Sequence, residues 1–339
     1  TWLMIRLANK FAQDATISKI LVTCKNLALG EWLRKQLKSN KNKIDVFPFV
    51  EQIQTEVCAA GLHSCNVDEM EKPEQLEFFK TVLPALYITH IVDSRDMKYD
   101  VILVDEAQTF GKDYWDCIES LLKDPKNGKL HTFFDDYQRI YSEKERESIL
   151  KDQLFFPLSV NLRNTRSIHH HSVKFMDEEI DINQSSVTGS PVHFQSFNDE
   201  IPGDTAIEKL EVLLNDLIVN NNVAMNNITI LTTRRKEDCL LSEYIDEDKS
   251  LGKYFVTSGI GVDSKITCTS AQKFRGLESQ IIILIDIEGR SYKHLNYIAA
   301  SRAKLMLFLL TSESFISRHP EFTDDCEEYT GNIDIKTIL

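Results

Sequence analysis

Val101-Ile102-Leu103-Val104-Asp105-Glu106-Ala107-Gln108 runs from four apolar residues straight into two carboxylates. A short apolar, β-branched run of this kind suits a strand buried on both faces of a parallel sheet. In such sheets ligands bind outside the carboxyl ends of the strands, where Asp105 and Glu106 would stand. Taken alone, the pattern more often marks a strand that simply ends in a solvated turn.

Similar runs lie on both sides of it. Residues 19–24, 100–105, 130–134, 228–231, 265–269, 280–286 and 305–310 read as strands. Between them, 28–37, 114–122, 167–176 and 206–219 read as helices. Apolar strands alternating with helices indicate parallel sheets covered on both faces, here repeated twice. The chain of 339 residues suits about two domains, placed at 1–157 and 158–339. Residues 41–98 carry little strand signal and are expected to form a small helical insertion. Residues 177–190 and 198–204 read as long polar loops.

Composition narrows the function classes. Apolar residues make up 42% and charged residues 27%, a globular balance rather than a disordered one. No apolar run is long enough for a membrane span. The net charge of -13 argues against a protein that coats nucleic acid by bulk charge, but leaves room for a local basic groove. The seven cysteines form no C-x-x-C pair. Neither a disulfide framework nor a zinc ribbon is expected, and the cytoplasm is the expected compartment.

Further motifs flank the acidic pair in a fixed order. Leu21-Val22-Thr23-Cys24-Lys25-Asn26-Leu27-Ala28 precedes it. Phe133 to Tyr141, Leu158-Ser159-Val160-Asn161-Leu162-Arg163-Asn164, Ser270-Ala271-Gln272-Lys273-Phe274-Arg275-Gly276-Leu277-Glu278 and Tyr297-Ile298-Ala299-Ala300-Ser301-Arg302-Ala303 follow. Together with the acidic pair, these resemble motifs Ia to VI of superfamily 1 helicases of the UvrD/Rep type, over nearly the whole chain. Thr1-Trp2-Leu3-Met4 resembles the residues just after the glycine-lysine of a Walker A loop, whose glycine-rich turn would precede Thr1.

The resemblance implies two RecA-like α/β domains, an ATP site with Mg²⁺, and movement on single-stranded or tailed duplex DNA. Thr1 and Asp105 would hold Mg²⁺, Glu106 would activate the attacking water, and Gln138 would sense the terminal phosphate. Arg163 and Arg302 would supply positive charge from the second domain, where a planar guanidinium suits a developing phosphoryl charge. Gly276 would allow close backbone approach, and Glu278 would accept a bond from the ribose. Thr23, Asn26, Tyr141, Lys273 and Arg275 would meet the nucleic acid by stacking and phosphate contacts. Alone, each of these arginines reads as a surface salt bridge and Tyr141 as a core or rim aromatic.

Some positions depart from the family pattern. Leu162 stands where a tyrosine stacks on the base, Gln272 replaces a histidine, Arg275 a lysine and Phe134 a glycine. The short spacings resemble compact helicase modules joined to nuclease domains or used in antiphage systems, which would make a nuclease or another protein the partner. A regulatory ATPase that switches a partner without unwinding is the alternative reading; a scaffold that has lost nucleotide binding is the third. His169-His170-His171 point in different directions on a helix and read as a solvated face. Phe11, Trp32, Trp115 and Phe175 read as core.

Overall fold

In a computed structural model of the chain, the described residues are 1–63, 66–92, 98–135, 154, 156–158, 160–176, 187–244, 255–256, 264–287, 293–331 and 333. The chain divides into two compact units, Thr1–Phe155 and Phe156–Leu339.

The first unit opens with α1 (Trp2–Gln13), followed by β1 (Ile20–Cys24), α2 (Leu27–Gln36), β2 (Ile44–Pro48) and α3 (Phe49–Ala59). Next come α4 (Lys72–Glu77), a π-helical turn (Phe78–Val82) and α5 (Leu83–His90). The unit continues with β3 (Val101–Val104), α6 (Lys112–Ser120) and β4 (Lys129–Thr132). Its sheet has the order β2-β1-β3-β4, and every pairing is parallel. All residues of β1 and β3 are buried, as their unbroken apolar character requires. One core joins Phe49, Ile53, Tyr87, Phe110, Trp115 and Ile118 beside the sheet.

Asp100 aligns β3 with β1. Its Oδ2 accepts the amides of Ser18 at 2.7 Å and Lys19 at 3.0 Å as well as the Ser18 hydroxyl. Burial opposes its ionisation, but these bonds outweigh it and hold the carboxyl at about 2.

Strand β2 departs from the expectation of a small helical insertion over 41–98. Asp45 and Pro48 disguise it, yet both suit an edge position. Asp45 is held by Lys19 at 3.3 Å and by the Tyr99 hydroxyl at 3.1 Å. Pro48 ends the strand, where its missing N–H breaks no ladder. The described remainder of that segment is mainly helical.

The second unit contains α7 (Arg166–Lys174), β5 (His193–Phe197), α8 (Ala206–Asn215), β6 (Ile228–Thr232) and β7 (Phe255–Val256). After them come β8 (Ile266–Ser270), β9 (Ser279–Ile285), α9 (Lys293–Ala300), β10 (Ala303–Ser312), α10 (Glu313–Arg318) and β11 (Glu327–Glu328). Its seven strands run β11-β5-β10-β9-β6-β8-β7, again all parallel. Helix α8 begins at a capping box of Thr205 and Glu208, which satisfies two otherwise orphaned amides. The helix ends sooner than its apolar pattern suggests, passing into a π-helical turn at Asp216–Asn220.

Both units are thus α/β, with parallel sheets flanked by helices, an arrangement consistent with RecA-like domains. Among the described residues, no helix is long and apolar enough to cross a membrane. Cys58 is disulfide-bonded, whereas Cys24, Cys117, Cys239, Cys268 and Cys326 are free. Of the aromatics expected in the core, Trp115 and Phe175 are buried, while Phe11 and Trp32 are half-buried.

Candidate functional site

The first unit's strand order places a crevice at its acidic pair. From β1 the chain passes to β2 on one side and later returns to β3 on the other. The loops leaving β1 and β3 therefore diverge at their carboxyl ends, the usual ligand position in an open parallel sheet. The Asp105 amide donates to the Thr23 carbonyl at 2.9 Å, which fixes the two strand ends together.

Asp105 is buried, and its Oδ2 has no hydrogen-bond partner among the described residues. Its Oδ1 lies 3.6 Å from the α-amino group of Thr1, the residue that precedes α1. A buried carboxylate oxygen with nothing to bond is costly unless a ligand completes it. The donor type suits a hard divalent cation such as Mg²⁺, which takes oxygen ligands.

Glu106 follows in the left-handed region, with φ of 51°. A non-glycine residue there is strained, and such strain gathers at functional positions. Bonds to Thr109 and Gln108 help to hold the conformation. The Glu106 carbonyl accepts from the Thr109 hydroxyl at 2.7 Å and from its amide at 2.9 Å. Gln108 donates to Glu106 Oε2 at 2.7 Å, and Gln108 Oε1 accepts the Asp135 amide at 3.2 Å. Gln108 thus ties the second acid to the segment after β4. The segment pairs again where the Ala107 amide reaches the Phe133 carbonyl at 3.0 Å. Gln108 belonged to the quoted motif but had no assigned role; only the folded loop reveals one.

Cys24 reports on the charge nearby. Burial, then the carboxylates of Asp105 and Glu106, push its thiol well up, so it remains protonated.

Thr1, Asp105 and Glu106 therefore gather at one end of the first sheet. The other first-unit residues are placed differently. Thr23 is fully buried and donates to the Phe47 carbonyl at 2.7 Å, so its expected contact with nucleic acid does not fit this structure. Asn26 accepts from the Leu29 amide at 3.0 Å and caps α2. Lys25, for which no role was expected, is exposed and donates from Nζ to the Thr109 carbonyl at 3.0 Å. Gln138 and Tyr141 lie outside the described residues.

In the second unit, Asn161 and Asn164 organise the loop that carries Arg163. Asn161 Oδ1 accepts the amides of Arg163 and Asn164 at 3.0 and 3.1 Å. Asn164 donates to the carbonyls of Ser301 at 3.0 Å and Ala303 at 2.6 Å, gripping the turn around Arg302. Arg163 Nε lies 3.5 Å from Glu278, which also receives Lys304 at 2.9 Å. Glu278 thus bridges two cations of its own unit. Gly276 has φ of 82°, a conformation that permits the tight turn into β9 and disfavours any side chain.

Two basic residues depart from expectation. Arg302 is 0% exposed; its Nε donates to the Ile298 carbonyl at 3.1 Å and its Nη2 to Ser301 Oγ at 3.2 Å. The expected reach toward a phosphoryl group does not fit a guanidinium turned back onto the end of α9. Arg275 is also buried, so it cannot face a DNA backbone as placed here, whereas Lys273 is exposed. Solvation was legible for Lys273 because it lies in the turn after β8; the burial of the arginines had no local signal.

The histidine triplet is a further correction. His169 and His171 are buried and only His170 is exposed. His169 Nδ1 lies 2.8 Å from Asn161 Nδ2, and His171 faces the C-terminal segment through Asp325 at 3.1 Å.

No protein-family model matches the chain, and no curated protein matches it. Among solved structures, it is similar to the C-terminal domain of a possible DNA helicase from Lactobacillus plantarum WCFS1. That likeness has 15% identity and a TM-score of 0.33, covering 44% of this chain and 86% of that one. It is also similar to arterivirus nonstructural protein 10, a helicase, at 10% identity and a TM-score of 0.43. There the match covers 91% of this chain and 56% of that one.

Proposed function

We propose that this chain is the core of an ATP-dependent motor of the superfamily 1 helicase type, hydrolysing ATP and moving on single-stranded DNA. The observation that carries the reading is the buried Asp105 oxygen, without a hydrogen-bond partner among the described residues, beside a strained Glu106 at the switch point of a parallel sheet. Asp105, with Thr1 near it, would hold Mg²⁺, which supplies positive charge for the phosphates when bound. Glu106 would orient a water and take its proton, and Gln108 would keep that carboxylate aimed. Arg163 would offer positive charge from the second unit and Lys273 a phosphate contact; Asn26 would border the strand path. The proposed setting is cytoplasmic, with tailed duplex DNA as substrate and a nuclease or another protein as companion.

A second reading, a nucleotide-dependent switch that controls a partner without unwinding, gains from one specific observation. Thr23 and Arg275, both expected to touch nucleic acid, are buried.

The test measures phosphate release from ATP with Mg²⁺, with and without single-stranded DNA. Glu106→Gln should lower turnover by about 10²–10⁴-fold, the range for losing a positioned acid-base group. Undiminished turnover in Glu106→Gln would remove the proposed role. Strand separation on a tailed duplex distinguishes the two readings: DNA-stimulated hydrolysis without separation supports the switch.

A further inference from the structure

His171, Asp325 and Cys326 converge although they are far apart in the chain. His171 sits on α7 and is fully buried. Asp325 and Cys326 lie in the turn just before β11, 154 positions beyond His171 in the case of Asp325. His171 Nδ1 is 3.1 Å from Asp325 Oδ1 and 3.5 Å from Cys326 Sγ, and those last two atoms are 3.7 Å apart.

These separations form the face of a coordination tetrahedron. Zinc bonds of about 2.0–2.1 Å to nitrogen and oxygen and about 2.3 Å to sulfur put ligand atoms roughly 3.3–3.6 Å apart at tetrahedral angles. One imidazole nitrogen, one thiolate sulfur and one carboxylate oxygen form a donor set that selects a borderline-soft ion such as Zn²⁺ over Mg²⁺ or Ca²⁺.

An apolar cover and a neighbouring lysine surround the cluster. The His171 ring packs edge-on against Phe175 at 5.3 Å, and Phe175 stacks on Phe322 at 4.9 Å, so aromatic groups cover the cluster on that side. Lys174, one turn along α7, reaches Asp324 at 2.6 Å and Asp325 at 2.9 Å. A carboxylate oxygen has lone pairs for both an ammonium and a metal. The two carboxylates and a thiolate would balance Lys174 and one divalent ion.

We propose that His171, Asp325 and Cys326 form a Zn²⁺ site that fastens α7 to the segment leading into edge strand β11. Three protein ligands leave one tetrahedral position for water. The site does not depend on the proposed motor function, and its chemistry differs from the all-oxygen site at Asp105.

The experiment uses the full chain, freed of metal with a chelator and dialysed. One equivalent of Zn²⁺ should bind in competition with a chromophoric chelator and raise the melting temperature. Co²⁺ should give a thiolate-to-cobalt charge-transfer band at the same stoichiometry. Cys326→Ser, which keeps the carboxylates and the lysine, should lose that band and the zinc-dependent rise while retaining its circular dichroism. The absence of stoichiometric metal binding in the wild type overturns the proposal and leaves a metal-free His171–Asp325 hydrogen bond. Retention of the full charge-transfer band in Cys326→Ser overturns it as well. Asp325→Asn, read for Zn²⁺ affinity, keeps the test decisive should the serine variant fold poorly: unchanged affinity counts against the site.

Discussion

Each sheet ends one of its central strands in an acid held at positive φ. In the first unit, β3 leads into Asp105 and then Glu106 at 51°; in the second, β9 leads into Asp286 at 54°. Both lie at switch points. Strand β9 neighbours β6 on the side opposite β8, just as β3 neighbours β1 opposite β2. The two differ in what the carboxylate oxygens meet. Asp286 Oδ2 accepts the Thr232 hydroxyl at 2.6 Å, both its oxygens lie 3.2 Å from the Leu240 amide, and its carbonyl accepts the Thr233 hydroxyl. In the first unit Glu106 Oε2 accepts Gln108 at 2.7 Å, but Oδ2 of the adjoining Asp105 meets no donor among the described residues. The same strand ending can therefore close a loop or remain poised for a ligand. The partners, rather than the acid itself, separate the two uses.

Replacing Asp286 tests that distinction most severely on the stability side. Asp286→Ala removes the acceptor for Thr232 and Leu240 and leaves a methyl at positive φ. It should cost the second unit about 3 kcal/mol, the scale of lost bonds to a charged group plus left-handed strain. Asp105→Asn should lower stability little, because its Oδ2 meets no donor among the described residues and its Oδ1 only the Thr1 ammonium at 3.6 Å, yet should impair nucleotide turnover. Paired denaturant titrations and hydrolysis assays read both effects. An Asp286→Ala variant as stable as the wild type would show that its loop is not held by these bonds.

Asp100 sharpens the comparison, as a first-unit acid whose oxygen is fully committed. Its folded pKa, about 2, is below its usual value, so it contributes stability that is complete above the unfolded pKa and is lost as pH falls through the folded one. Asp100→Asn should cost about 2 kcal/mol near neutral pH, the scale of a charge-assisted bond. Between about pH 5 and 2 the wild type should lose this advantage, so that the two unfolding curves converge. Melting temperatures recorded across that range check it, and parallel curves would assign the acid sensitivity to other groups.

The sequence exposes most of this framework, and the exceptions have physical causes. Continuous apolar strands such as β1, β3, β6 and β9 announce themselves because they are buried on both faces. Strand β5, His-Phe-Gln-Ser-Phe, alternates buried and half-buried residues and offers no such run. Strands β7 and β11 have two residues each, too few for any period to show. The acidic pair is legible because strand and loop are adjacent in sequence. Its support from Gln108 is not, since that bond depends on a left-handed turn. The histidine triplet shows the limit of helical geometry. Spacing gives three directions around α7, but the approach of Asp325 and Cys326 decides which of them is covered. Arg302 is the same case: its motif places it after α9, while its burial depends on Asn164 and the turn that Asn164 holds.

The smallest expected effect is the most diagnostic for Glu106. A left-handed non-glycine residue costs about 1–2 kcal/mol, against roughly 0.5–1 kcal/mol for the extra chain entropy that glycine loses on folding. Glu106→Gly also gives up the Gln108 bond, about 1 kcal/mol or somewhat more, so the terms nearly cancel and first-unit stability should stay within about 1 kcal/mol of the wild type. Turnover should nevertheless fall as far as in Glu106→Gln, because the carboxylate is gone. Stability nearly unchanged while activity disappears is the signature of strain retained for function rather than for folding. If Glu106→Gly instead loses well over about 1 kcal/mol, the left-handed turn is held by the glutamate side chain itself. Glu106 would then resemble Asp286, an acid used to close its loop.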